Sequence, residues 1–404
     1  MDEGTTEPGV TRLRAAKETA PLEWFDELRE SRGTGWDETT GTWYVTRYDD
    51  VYELLRDTRL GAQVETYCPP GLTEEEQKTY WRVTEFIDRW PVFSDPPRHT
   101  GMRRLLLPLF TPATVGLTAA AVADSVAAAG PAVAPGRLFA EVIRPALAAG
   151  LCRLLDEPPD ALEELADCAT RILAFGSVET YEPAAGLRAE DALDELTDLV
   201  ARRCTAPRGA LATALSRSLS EGSLDLLDAT AVYAQLVSGA LEPTAAAVAR
   251  LLEAVTGPEG AALDIRADID GAIDEALRLA TPFHLAMRRA LTDLPLHGHT
   301  LRAESRVVLV LVAANRDPRR FTDPGTFRLD RTGARHVAFG RGRHACLGAA
   351  LTRQVMRELV LALAATGALE ELPPLRPVWN TDFGGRFVRD VVAAQGAGPG
   401  PSSV

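Results

Sequence analysis

Cys346 lies in FGRGRHACLGAALTRQVMRELVLALAATG, Phe339 to Gly367, where a glycine-rich loop delivers a cysteine to the start of an amphipathic helix. Backbone amides and the positive end of a helix dipole at that place favour a thiolate. A thiolate is a soft metal ligand, and as an axial ligand to haem iron its electron donation promotes O–O cleavage. Gly340, Gly342 and Gly348 would let the backbone approach a flat ring closely. Two plainer readings compete. Free cysteine is among the most buried residue types, so a core thiol is one of them. The other is a dinucleotide fingerprint, which Gly340-x-Gly342-x-x-Ala345 nearly matches, but only about 37 residues follow Gly367, too few for the βαβ domain it needs.

Other spacings suit charge recognition. Glu275 and Arg278 in EALR are three apart and share a helix face, which taken alone describes a common solvated pair. His99 and Arg103 in DPPRHTGMRRLLLPLF are four apart, on one face and able to grip a carboxylate. The stretch VSGALEPTAAAV, Val237 to Val248, puts an acid, Glu242, beside Pro243 and Thr244 in the middle of a helical pattern.

Phe339, Gly340, Gly342, His344, Cys346 and Gly348 fit FGxGxHxCxG at every place, the haem-binding signature of the cytochrome P450 family, and the chain resembles bacterial soluble members of it. The resemblance covers nearly the whole chain, through NRDPRRF at Asn315 to Phe321, and weakens at WNTDFGGRFVRDVV, around Asp382 and Phe383. It implies haem b (iron protoporphyrin IX) with Cys346 as metal ligand, Phe339 packed beside the ligand loop with Gly340 and Gly348 in it, and His344 at a propionate. His99, Arg103 and Arg288 would hold propionates as well. Glu275, Arg278 and Arg331 would form a structural lattice behind the ligand loop, a scaffold and not a catalytic group. Ala240 and Pro243 on the distal helix, with Phe283, His284 and Leu285, would face the substrate.

In the family the distal helix carries an acid and then a threonine that pass protons to dioxygen. Here Glu242 supplies the acid, but the alcohol position is Pro243, and Thr244 is displaced by one residue, a rotation of about 100°. Either Pro243 distorts the helix enough to bring Thr244 back, or water or a substrate hydroxyl carries the proton, which is the preferred route, with Glu242 and Thr244 the candidate catalytic residues beside Cys346. The implied activity is monooxygenation of a small-molecule substrate, with electrons from a ferredoxin and ferredoxin reductase. Rivals are a peroxygenase or oxidative coupling catalyst and a non-catalytic haem-binding protein. The high alanine and arginine content suggests a GC-rich bacterial source and a secondary-metabolite substrate.

The elements that must position these residues are mainly α with small β-sheets, a long distal helix included. With 404 residues, 46% hydrophobic and 25% charged, the chain has material for one large domain, expected over residues 21–393 between a flexible 1–20 and a disordered 394–404. A net charge of −14 argues against nucleic acid and anionic membranes. The odd count of five cysteines, without CxxC, and the lack of a signal peptide fit the cytoplasm. Val307 to Ala314, VVLVLVAA, is the strongest apolar run, too short to span a bilayer, and reads as a buried strand. Thr42 to Asp57 reads as a strand turning into a helix. Residues 100 to 260 read as helices broken at Pro131, Pro145, Pro158, Pro183 and Pro207, and Leu224 to Thr256 as one long helix that Pro243 should kink or open.

Overall fold

A computed structural model describes residues 21–38, 40–63, 68–69, 71–130, 135–176, 182–257, 267–331, 335–381 and 384–394. The expected flexible and disordered ends, 1–20 and 395–404, and Pro131, Asp382 and Phe383 lie outside them. Ala394, placed in the tail by sequence, donates its amide to the Pro374 carbonyl at 2.7 Å.

The chain runs α1 (Pro21–Ser31), β1 (Thr34–Asp37), β2 (Thr42–Val45), α2 (Tyr48–Leu54), β3 (Leu60–Gly61), α3 (Glu74–Ile87), α4 (Arg98–Leu106) and α5 (Pro112–Ala129). It continues through α6 (Arg144–Leu155), α7 (Pro159–Gly176), α8 (Pro183–Thr205), α9 (Gly209–Ser220), α10 (Leu226–Thr256) and α11 (Ile269–Ala280). Then come β4 (Leu285–Ala290), β5 (Leu294–Leu296), β6 (His299–Leu301), β7 (Arg306–Val310), the single turn α12 (Leu311–Ala314), α13 (Ala349–Ala365), α14 (Ala368–Glu371), β8 (Leu375–Thr381) and β9 (Arg386–Ala393).

Pro183 opens α8, and Pro158 and Pro207 fall between helices, where a missing amide costs least, while Pro145 is second in α6, just after a π-helical turn at Phe139–Ile143. The long helix α10 starts at Asp225, whose carboxylate caps the Asp228 amide while Asp228 caps Asp225 in return. It buries Tyr233, Val237, Thr244 to Ala249, Leu251 and Leu252 in the centre of the helical core. Contrary to the expected opening, α10 stays continuous through Pro243, because residues on both sides of it are packed on neighbouring helices.

The sheet order is β1-β2-β7-β4-β3, with β2 and β7 parallel and the other neighbours antiparallel. Val307 to Ala314 is not all strand. The pairing with β4 ends at Val310–Leu285, and the next two amides, Leu311 and Val312, turn onto the one carbonyl of His284. The chain therefore curls into α12.

A second apolar segment is longer. Helix α5 is long and apolar enough to cross a membrane, with a mean hydropathy of 1.3. Alanine gives it that value, while its buried residues form one stripe, Val115, Thr118, Ala119, Val122 and Val126, at the spacing of a helix lying on a core.

Candidate functional site

The loop that carries Cys346 is folded by its own backbone. The Gly340 amide donates to the Val337 carbonyl and the Cys346 amide to the Phe339 carbonyl, both at 2.9 Å, around a 3₁₀ turn at Gly342–His344. Gly342 has φ +71, and a Cβ there would come within 2.8 Å of Arg56 Cα, so the loop is seated against the end of α2. Protein backbone alone thus requires a glycine at 342. The Phe339 ring lies beside the loop, with Arg353 over its face at 4.8 Å.

Behind the loop stands the lattice. Glu275 receives two bonds of 2.7 Å from Arg278, 2.8 Å from Arg331 Nε and 3.1 Å from the Arg328 amide. Glu275 and Arg278 are almost wholly buried, their side chains 4% and 2% exposed. Burial alone would raise the Glu275 carboxyl, but the hydrogen bonds and charges of Arg278 and Arg331 hold it below the usual range. Arg278 also binds the carbonyls of Asn315 and Pro324, and Arg331 those of Thr322, Asp323 and Thr326. The Asn315 amide group completes the chain of contacts, donating to Thr281 Oγ1 at 2.8 Å and accepting from the Val337 amide at 2.7 Å. Asn315 lay in the quoted NRDPRRF run, but its bridging role appears only in three dimensions.

Cys346 keeps accessible surface, yet burial dominates its ionisation and pushes the thiol up, against the Gly348 amide and the cations Arg103 and Arg353. It therefore opens onto a recessed cleft. Helix α13 begins three residues after Cys346, and a cation bound at the sulfur would favour the thiolate further.

Around the cleft the expected carboxylate-binding residues converge. The rings of His99 and His344 are 4.2 Å apart. His99 Nδ1 and His344 Nε2 are buried and find no hydrogen-bond partner among the described residues. Burial and the neighbouring cations, Arg103 for His99 and Arg288 for His344, lower both imidazoles, His344 to about 3. Arg288 is 6% exposed, pushed down to about 10 by burial, and among the described residues its guanidinium bonds only the Met287 carbonyl, at 2.7 Å. The carboxylate whose charge acts on it, Asp95, already accepts the Ala62 and Gln63 amides and lies 3.9 Å from Arg343. A buried donor set this short of acceptors fits the two carboxylates of haem b. Arg103 donates to the Ala345 carbonyl at 2.8 Å and so also braces the ligand loop.

On the distal side, Glu242 is not free. Arg144 Nη1 and Nη2 grip its two oxygens at 2.6 and 3.2 Å, and Nη2 also reaches the Val388 carbonyl at 3.0 Å. Sequence reading missed Arg144, which is 98 residues away. Thr244 is buried, and no hydrogen bond of its hydroxyl is found among the described residues, unlike Thr230 and Ser238, which bond carbonyls four back. Gly239, Ala240 and Pro243 retain accessible surface on the same helix.

Of the three residues after Pro282, only Phe283 matches the expected pocket wall, half exposed and edge-on to Phe387 at 5.7 Å. His284 is fully buried, its ring 6.4 Å from Phe25 of α1. Leu285 also packs toward Phe25 and Tyr44. Thr281 has φ +33, and the His284 amide is drawn to the Gly384 carbonyl, which turns this segment under the sheet. His284 is therefore a core residue, while Leu285 is half-buried at the edge of that cluster.

The sequence profile described as Cytochrome P450 matches residues 266–364. The chain is 30% identical over 391 residues to the 20-oxo-5-O-mycaminosyltylactone 23-monooxygenase of Streptomyces fradiae, covering 91% of this chain and 85% of that protein. It belongs to the cytochrome P450 family. The mycinamicin IV hydroxylase/epoxidase of Micromonospora griseorubida is 31% identical over 354 residues, 83% of each chain. Among solved structures, P450BioI, bound to an acyl carrier protein carrying hexadec-9Z-enoic acid, superposes with a TM-score of 0.76 at 23% identity, covering 94% of this chain and 98% of that one. That likeness shows the P450 fold, and the family relatives make this chain a P450 monooxygenase.

Proposed function

We propose that this P450 oxidises a secondary-metabolite intermediate of macrolide-like chemistry in the cytoplasm, with Cys346 as the iron ligand and electrons from a ferredoxin and its reductase. The observation that carries the site assignment is the acceptor-poor set of buried His99 and Arg288 with the buried Nε2 of His344, beside an accessible cysteine. Haem b, when bound, supplies the iron at which dioxygen is reduced and one oxygen atom reaches the substrate. His99, His344 and Arg288 would satisfy its carboxylates, and the Glu275–Arg278–Arg331 lattice holds the loop that presents the sulfur. Phe283, Phe387, Ala240 and Pro243 form the apolar wall against which a substrate is oriented. Glu242, its carboxylate held by Arg144, is the side chain through which protons would be relayed, with water or a substrate hydroxyl carrying them onward, since Pro243 offers no hydroxyl.

Support for the substrate class comes from the mycaminosyltylactone 23-monooxygenase and the mycinamicin IV hydroxylase/epoxidase above. Support for a ferredoxin is the exposed Arg104 and Leu107 at the end of α4, whose neighbour Arg103 braces the ligand loop. Reduced, carbon monoxide-treated protein should show the red-shifted Soret band of thiolate ligation, and Cys346→Ala should lose it. Macrolactones incubated with NADPH, ferredoxin and reductase should gain one oxygen atom. Product with hydrogen peroxide but none with the electron-transfer proteins would place the enzyme among peroxygenases. Thr244→Ala should keep most product yield, whereas Glu242→Ala should lose it.

A further inference from the structure

Two helices meet through an ion pair at points where each is weakened by a proline. Glu242 precedes Pro243 in α10, and Arg144 precedes Pro145 in α6. Neither proline can donate to the carbonyl four residues back, so the helix loses one hydrogen bond just before each charged residue. In α6 the loss is absorbed by a π-helical turn, Phe139–Ile143, closed by the Arg144 amide on the Phe139 carbonyl. That wider turn brings Phe139 and Arg144 onto one side, the guanidinium 5.1 Å over the ring. From there Arg144 spans three elements, holding both Glu242 oxygens and the Val388 carbonyl of β9. One residue away on β9, Phe387 packs on the pocket residue Phe283.

We infer that Arg144, aimed by the π turn, is the positioning residue for Glu242, fixing its carboxylate where α10 lacks a backbone hydrogen bond and tying it to the pocket strand β9. This rests on the reading of Glu242 as the acid of proton delivery. Arg144 touches neither cofactor nor substrate in this role and acts through Glu242 alone.

The test needs no organic substrate. Haem-loaded protein is supplied with NADPH, a plant-type ferredoxin, its reductase and dioxygen. NADPH oxidation, peroxide released per NADPH and the solvent deuterium isotope effect are read for Glu242→Gln, Arg144→Leu, Arg144→Lys and the Glu242→Gln/Arg144→Leu double variant. A positioned proton donor contributes on the order of a hundredfold, so Glu242→Gln should slow oxidation about tenfold or more and Arg144→Leu about threefold in the same direction. Arg144→Lys should retain most of the rate, and the double variant should match Glu242→Gln. Hydrogen exchange of residues 236–246, read on the same proteins without turnover, should quicken in Arg144→Leu and remain slow in Arg144→Lys. Effects that add in the double variant, or a normal rate and exchange in Arg144→Leu beside a slow Glu242→Gln, would overturn the inference and leave the Glu242 assignment standing. An unaltered Glu242→Gln would remove that assignment and this inference with it.

Discussion

Replacing Glu275 with Gln removes a charge but little volume, which isolates the electrostatic part of the lattice. The wild-type carboxylate accepts four hydrogen bonds, three from guanidinium nitrogens, at 2.7 to 3.1 Å. Glutamine has one acceptor oxygen and turns an NH2 group toward one arginine, so the Arg278 guanidinium, 2% exposed, is left without a counter-charge. Breaking a buried pair in this way costs about 3–5 kcal/mol. With about 2.1 cal/mol/K of unfolding entropy per residue, a 404-residue chain should lose roughly 5 °C in Tm. Unfolding followed by circular dichroism, with haem retention read on the same sample, measures both consequences. The pH dependence has a definite sign. The folded carboxyl is held below its ordinary value, so its contribution is complete above about pH 4.3 and is lost as pH falls through the folded value. The gap between wild type and variant should be constant near neutrality and narrow in acid. A Tm shift within 1 °C of that of Arg328→Ala, whose own side chain pairs with Asp323 and Asp330 at the surface, would refute the lattice argument.

Arg288→Ala and His99→Ala should each speed haem transfer to apomyoglobin, roughly ten- to hundredfold for the loss of a charge-assisted bond; unchanged transfer in both would remove the propionate assignment. His284→Leu should lower unfolding stability by about 1–3 kcal/mol and leave spectral titration with azole ligands unaltered. A tenfold loss of azole affinity at unchanged Tm would return His284 to the pocket. Arg104→Glu should slow first-electron transfer from ferredoxin at low salt and converge on wild type at high salt. Stopped-flow reduction that is equal across ionic strength would count against docking at α4.

What could be read from the chain depended on the range of the interaction. The ligand loop, the ExxR pair and the His99–Arg103 face are local patterns, and their geometry followed the spacing. The prolines that open or separate α6, α7, α8 and α9 act on their own backbone and were legible for the same reason. Arg331 was placed only through family resemblance. Arg144 was invisible, because nothing near it marks a partner 98 residues away. His284 misled because a local apolar run does not reveal on which side of a sheet a turn will place it. The second half of Val307 to Ala314 failed similarly, since strand identity there depended on how far β4 extends.

The parallel pairing of β2 with β7 also governs how the protein is made. Thr42 to Val45 must wait for Arg306 to Leu309, which leave the ribosome roughly 260 residues later, a delay on the order of 13–50 s at bacterial elongation rates. Throughout that interval the β1–β2 hairpin has only itself to pair with, and one edge, carrying Trp43 and Val45, stays unsatisfied. Trigger-factor-type holdases therefore have a defined segment to cover, and heterologous yield should respond to slower translation or added chaperone more than to any change at the haem site.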